Sequence, residues 1–159
     1  EVFNMTQSRY DCLAWKLLPK TVCANNVEMI GRQYKRQGDD FVATGRICPR
    51  AWGVTGPGQD QANPVLLSAV RDAIRTHDLD RSEVAFWFAG EAGRYLRQGI
   101  PTVNLISHNP WQFTSNDTPD TVMKEALRPT VEAFIDILRK EDTADAAVLR
   151  PVFTGLPRR

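Results

Sequence analysis

Short apolar runs alternate with polar segments along the chain, and their spacing predicts strands and helices in turn. Strand candidates are the runs 27–30, 41–44, 83–88 and 102–107. Asn63 and Pro64 together begin a helix that ends near His77, because Asn caps a helix and Pro suits its first position. A short helix over 90–98 ends at Gly99. This order predicts an α/β fold in which helices flank a mainly parallel sheet.

Two polar stretches and the last helix complete the prediction. Residues 32–40 are charged, and residues 46–61 are rich in Gly and Pro, so both are expected to be loops. A final helix runs over 119–140, and Thr118 can cap it. Pro129 is expected to kink or split that helix. The stripe expected to face the core consists of Leu127, Val131, Phe134, Ile135 and Leu138.

The 159 residues suit one domain. We divide them into a poorly defined N-terminal segment (1–22), an α/β domain (23–140) and a tail (141–159). Four predicted strands are few for a doubly wound sheet, so the domain is expected to be incomplete. An exposed sheet edge is then expected where further strands belong, and such an edge favours association. A chain that starts at Glu1 is expected to be a processed product, a trimmed chain or a fragment.

Composition excludes several classes of function. The formal net charge is +1 and 25% of the residues are charged, which gives no support for nucleic-acid or anionic-membrane partners. No apolar run approaches the roughly 20 residues of a spanning helix. Three cysteines (Cys12, Cys23 and Cys48) form no CxxC pattern, so a zinc site built on thiolates is not expected. One disulfide with a free thiol and three thiols are both compatible with this count.

The polar loop after the strand 102–107 is the first candidate for a site, because ligands of open α/β sheets bind beyond the carboxyl ends of strands. His108 can be a ligand, a general acid or an ordinary loop histidine. Trp111 and Phe113 can line a substrate pocket or cover the core.

Four acidic residues are further candidates. Glu28 lies in an apolar strand, where a carboxylate faces solvent, pairs with an arginine or binds a metal. Glu91 is a solvated helix-start acid or a carboxylate of the crevice. Asp117 and Asp120 suit the positive end of a helix.

Four segments, in this order and spacing, resemble the C-terminal half of an M28-type metallopeptidase domain. NVEMIG (26–31) resembles the family's strand N-(L/I)-(D/E)-M-(I/V)-G, and FVATG (41–45) resembles the strand after it. Gly90 and Glu91 followed by GIP (99–101) resemble an acid-bearing loop and its turn. NDTPD (116–120) resembles the DT-x-D start of the last helix. The resemblance covers residues 23–140.

The resemblance implies a zinc aminopeptidase-like fold and hydrolysis of peptide or amide bonds. It implies zinc as cofactor and Glu28 as one metal ligand. The substrate pocket would then be shaped by Glu91, His108, Trp111, Phe113 and Asp117. The partners implied are a peptide or small amide substrate and a partner chain or N-terminal half; the family also favours a secreted or periplasmic location.

The sequence departs from the family in two ways. The family's other ligands and its general base lie upstream of the NVEMIG strand, and residues 1–25 do not contain those motifs. Phe113 stands where the family commonly has its last ligand histidine. The isolated chain is therefore expected to be inactive. A non-catalytic binding module with the same fold is the alternative, and an α/β domain without a site is a third interpretation.

Overall fold

The computed structural model describes residues 20–57, 61–87, 92–107 and 109–150. The strands in these residues are β1 (Ala24–Glu28), β2 (Arg32–Gln37), β3 (Asp40–Ile47), β4 (Arg50–Val54), β5 (Ser82–Ala85) and β6 (Thr102–Ile106). The helices are α1 (Pro64–Thr76), α2 (Ala92–Arg97), α3 (Lys124–Thr143) and α4 (Ala146–Leu149), with a 3-10 turn at Pro119–Thr121.

The fold is α/β as predicted, and its main sheet is mixed, with mostly parallel strand pairs and one antiparallel pair. The strand order is β1-β6-β4-β5. The pairs β1/β6 and β4/β5 are parallel, whereas β4 and β6 are antiparallel. β2 and β3 form a separate antiparallel hairpin between β1 and β4. After the hairpin the chain re-enters the main sheet at the end where β1 finishes. β4 therefore runs in the opposite direction to β1 and β6.

Two strands lie in segments that the sequence predicted as loops. β2 carries Arg32, Lys35 and Arg36, and these charges are tolerated because the hairpin lies outside the main sheet. β4 is a central strand despite its glycine. A Cβ atom at Gly53 would overlap the carbonyl oxygen of Trp87, so this glycine permits a close backbone approach. The prediction of loops was therefore wrong over 32–37 and 50–54, where the chain forms β2 and β4.

One face of the sheet packs under α1 and α3. Trp52 and Leu105 are fully buried there with Val70 and Ile137. The ring of Trp52 stacks on that of Phe134, with centroids 5.3 Å apart and planes 28° apart. Burial of each large apolar side chain contributes about 1.5–3 kcal/mol. This layer is the hydrophobic core of the domain.

The start of α1 is confirmed. The Asn63 side-chain oxygen accepts hydrogen bonds from the backbone amides of Val65 (2.9 Å) and Leu66 (3.2 Å). Its amide nitrogen donates to the carbonyl oxygens of Val148 (3.1 Å) and Leu149 (3.0 Å). Asn63 is 2% exposed, so one buried side chain caps α1 and also holds α4 against it.

The buried face of α3 differs from the predicted stripe. α3 begins at Lys124 after the 3-10 turn, and Pro129 does not split it. The buried positions are Ala126, Thr130, Ala133, Phe134, Ile137 and Glu141. Of the predicted stripe only Phe134 is buried; Leu127, Val131, Ile135 and Leu138 are 40–55% exposed. The helix is turned by roughly 100° from the predicted orientation, at 3.6 residues per turn. Ala126, Thr130 and Ala133 on the buried face are small, so α3 can pack closely against the rest of the domain.

β1 lies at one edge of the sheet. Val27 pairs with Leu105, so its side chain lies on the same face as α3. It is 49% exposed because no strand in the described residues covers the outer edge of β1.

Candidate functional site

Glu28 is the last residue of β1 and lies beside the end of β6. In the parallel register Glu28 is opposite Ile106, so both strands end at the same edge. Met29 has a positive φ of 53°, which turns the chain away from the strand directly after Glu28. The sheet therefore holds this carboxylate next to the loop that follows β6.

A pair of asparagines lies beneath this carboxylate. The Asn26 amide nitrogen donates to Glu28 Oε1 (2.7 Å) and to Asn104 Oδ1 (2.7 Å). Asn104 is fully buried, and its Nδ2 has no hydrogen-bond partner among the described residues. The network fixes one carboxylate oxygen of Glu28 on the sheet face opposite α1 and α3.

Four segments meet at this edge. Gly31 forms an isolated bridge with Val122, and the Met123 amide donates to the carbonyl of Ile30 at 3.0 Å. The Cys48 amide donates to the Gly31 carbonyl (2.9 Å), and Ser107 Oγ donates to the Cys48 carbonyl (3.2 Å). The ends of β1 and β6 and the starts of β4 and α3 are thus joined by backbone hydrogen bonds and by the side chain of Ser107.

Trp111 fixes the loop after β6 to the hairpin. Its ring makes edge-to-face contacts with Tyr34 of β2 (centroids 6.0 Å apart) and Phe41 of β3 (5.2 Å). Asn109 Oδ1 accepts a hydrogen bond from the Trp111 amide at 2.8 Å and so closes a local turn. Trp111 is half-buried and lies where the loop and the hairpin meet.

Phe113 and Asp117 lie further along the same loop and are exposed. Phe113 is 87% exposed and has a positive φ of 62°, which is uncommon for an aromatic residue. Asp117 Oδ1 accepts a hydrogen bond from Thr121 Oγ1 at 3.0 Å, so this carboxylate stabilises the 3-10 turn before α3. Their predicted place in a substrate pocket stays a prediction.

Two of the predicted site residues, Glu91 and His108, lie outside the described residues. The residues beside them are in place: Ala92 is buried at the start of α2, and Ser107 is buried at the end of β6. Across 20–57, 61–87, 92–107 and 109–150, no three His, Cys, Asp or Glu side chains are grouped as a metal site. Glu28 as a metal ligand stays a prediction.

A groove of about 360 Å³ lies elsewhere, between α1 and α3. Its lining includes Asp72 and Thr76 from α1 and Asp136 and Arg139 from α3, and none of the predicted site residues. Three of its charged groups are already paired, since Asp72 binds Arg75 and Asp136 binds both Arg139 and His77. None of the helices in the described residues has a stretch long and apolar enough to cross a membrane.

Sequence reasoning missed a polar cluster in which the buried Glu141 meets the half-buried Cys23 and Asn25. Glu141 is 8% exposed, and its Oε2 accepts a hydrogen bond from the Asn25 amide at 2.8 Å. Burial raises the pKa of Glu141. Burial, together with the charge and hydrogen bond of Glu141, raises the pKa of Cys23 to about 12, so this thiol is protonated at neutral pH. The spacing in the sequence could have indicated the burial of Glu141, because it follows Ile137 by four residues and so lies on the same face of α3.

No protein-family model matches the chain, and no curated protein or solved structure shows significant similarity to it.

Proposed function

We propose that the chain is part of an M28-like zinc-dependent hydrolase that acts on peptide or amide bonds. The observation that carries this proposal is the position of Glu28. The residue that the resemblance designates as a metal ligand lies at the carboxyl end of β1, beside the end of β6 and the loop after it. This is where ligands bind in α/β sheets.

The surroundings of Glu28 fit one ligand of a zinc site. Carboxylate oxygen is a normal zinc ligand when other groups complete the set. Ligand carboxylates are usually oriented by a hydrogen bond, and Asn26 supplies one to Oε1. Zinc, when bound, polarises a carbonyl group and lowers the pKa of its water. Within the chain, Asn26 orients the carboxylate, and Trp111 fixes the loop that would contact the substrate.

Titration of the chain with Zn²⁺ by calorimetry tests the proposal. We expect weak binding, which Glu28→Gln weakens by about tenfold or more because the ligand oxygen loses its charge. Glu83→Gln is the matched control, since Glu83 is an exposed glutamate of β5 at the opposite edge of the sheet. We expect no peptide hydrolysis by the chain alone, since the upstream ligand motifs are absent from its sequence. Equal zinc affinity in Glu28→Gln and Glu83→Gln would refute the metal-ligand role.

One observation favours the alternative, a non-catalytic module that binds peptides in the same crevice. Phe113 stands where the family has a ligand histidine, and its ring is 87% exposed at a strained backbone position. An exposed aromatic ring is a typical anchor for a partner. If the chain is such a module, Phe113→Ala weakens its binding to a library of unmodified peptides. Glu28→Gln then leaves that binding unchanged.

A further inference from the structure

One side of α3 carries an apolar stripe that no described residue covers. The side stripe consists of Leu127, Val131, Ile135 and Leu138, which are 40%, 55%, 41% and 49% exposed. Their spacing of four, four and three residues places them in one row along the helix. Val27 on the edge strand β1 lies on the same face of the sheet as α3 and is also 49% exposed. Isolated apolar side chains are common on surfaces, but a continuous row marks an interaction site.

A charged residue of opposite sign lies at each end of the side stripe. Lys124 precedes Leu127 by three residues, and Asp142 follows Leu138 by four, so both continue the row. Both are exposed; Lys124 Nζ is 4.0 Å from Asp120 Oδ1, an exposed pair of little energetic weight. Lys124 and Asp142 are roughly 27 Å apart along the helix, at 1.5 Å per residue, which is too far for them to pair within one chain.

We propose that the side stripe is a homodimer interface, in which α3 packs antiparallel against α3 of a second copy. A two-fold axis on the exposed side of α3, level with residue 133 along the helix, brings Val131 of one chain opposite Ile135 of the other. The same axis brings Lys124 opposite Asp142 at both ends. This self-complementarity of apolar centre and charged ends is what an isologous interface requires.

The size of the stripe sets the expected affinity. Stable interfaces bury about 800 Å² per partner, and a single helix face with Val27 offers less. A weak dimer is therefore expected, with a dissociation constant on the order of micromolar to a hundred micromolar. The charged ends contribute mainly to orientation, since exposed ion pairs are worth about 0–1 kcal/mol each.

Sedimentation equilibrium of the full chain from about 1 to 500 µM, which brackets that affinity range, tests the proposal. We expect a reversible monomer–dimer equilibrium. Val131→Glu places two like charges at the centre of the interface and is expected to raise the dissociation constant at least tenfold. A monomer throughout the range would overturn the proposal. If another segment of the chain covers the stripe, the chain is a monomer and Val131→Glu lowers its free energy of unfolding instead.

A charge exchange tests the antiparallel register. Lys124→Glu and Asp142→Lys each place like charges opposite one another and are expected to weaken the dimer by about threefold to tenfold. The double variant restores attraction at both ends and is expected to return the affinity to within about twofold of the parent. Glu125→Lys is the matched control, because it changes the net charge as Asp142→Lys does but lies roughly 100° around the helix. A double variant as weak as either single one would overturn the proposed pairing.

Discussion

On one face of the four-stranded sheet, Trp52 and Leu105 point into the apolar layer under α1 and α3. On the other face, the positions next to them along β4 and β6 are Gly53 and Asn104. Both faces are buried in the middle of the sheet, but the first carries the large apolar cluster, whereas the second combines apolar residues such as Ile106 with the polar side chain of Asn104. A buried amide such as that of Asn104 gives little stability in return for its desolvation. The difference indicates that most of the hydrophobic stabilisation comes from the first face, whereas the second face carries the polar groups beneath Glu28.

The largest effect should come from the centre of the apolar face. Trp52→Ala removes a fully buried ring that stacks on Phe134 and is expected to lower the free energy of unfolding by about 3–5 kcal/mol. Urea denaturation measures this change. Trp111→Ala is the comparison on the site side, where the half-buried ring predicts a loss of about 1–2 kcal/mol. Equal losses from the two variants would contradict the division between the faces.

Exchanging polarity between two successive residues of β6 tests the same division more closely. Leu105→Asn buries an amide in the apolar layer and is expected to cost about 3–5 kcal/mol. Asn104→Leu removes a buried N–H that has no partner among the described residues, together with an acceptor for Asn26, which keeps its hydrogen bond to Glu28. The substitution is expected to be neutral or to gain up to about 1 kcal/mol. Thermal and urea unfolding of both variants give the comparison. A loss of several kcal/mol in Asn104→Leu would show that the Asn26–Asn104 contact is structural.

The sequence predicted elements wherever local signals and tertiary packing agree. α1 is an example, because the Asn63 cap and the apolar spacing identify it without reference to the rest of the chain. β4 was missed, since its glycine signals a turn locally but serves the approach of Trp87 across the sheet. α3 was predicted as a helix but with the wrong buried face. Four large apolar side chains lie on the side stripe, whereas the buried face combines Phe134 and Ile137 with small side chains.

The candidate site was predictable to a similar extent. The sequence pattern placed a loop after β6 and an acid at the end of β1, and the parallel register brings both to one edge. The hydrogen bond from Asn26 to Asn104 was not predictable, because it requires the alignment of two strands whose residues are 78 positions apart. The contacts of Trp111 were missed for a related reason: they depend on a hairpin whose first strand resembled a loop.

A smaller change in stability is expected at Glu141, a buried acidic residue on the apolar face of the sheet. Its pKa is raised, so the native state binds more protons than the unfolded state from about pH 4.5 upwards, and stability falls as pH rises through that window. Glu141→Gln keeps an acceptor for Asn25 and removes the buried charge, so we expect a gain of about 1 kcal/mol at pH 7. Chemical denaturation at pH 4 and pH 7 checks this. The gain should shrink at pH 4, and a loss at pH 7 would mean that the charged form is needed.

The smallest effect, with the opposite dependence on pH, is expected at the rim between α1 and α3. His77 Nε2 lies 2.8 Å from Asp136 Oδ2, and its Nδ1 lies 3.8 Å from Glu132 Oε2. The hydrogen bonds from His77 and Arg139 lower the pKa of Asp136 below its usual value of 3.8. Stability from this carboxylate is therefore present above pH 3.8 and is lost as pH falls through the lowered pKa. His77→Ala should reduce the loss of stability at low pH, which thermal unfolding between pH 2 and pH 5 measures. Arg139→Ala should reduce that loss less, because the bond from His77 is the stronger cause. If the loss of stability at low pH is unchanged in His77→Ala, the hydrogen bond between His77 and Asp136 does not stabilise the protein. The apolar contacts would then hold α1 and α3 together without it.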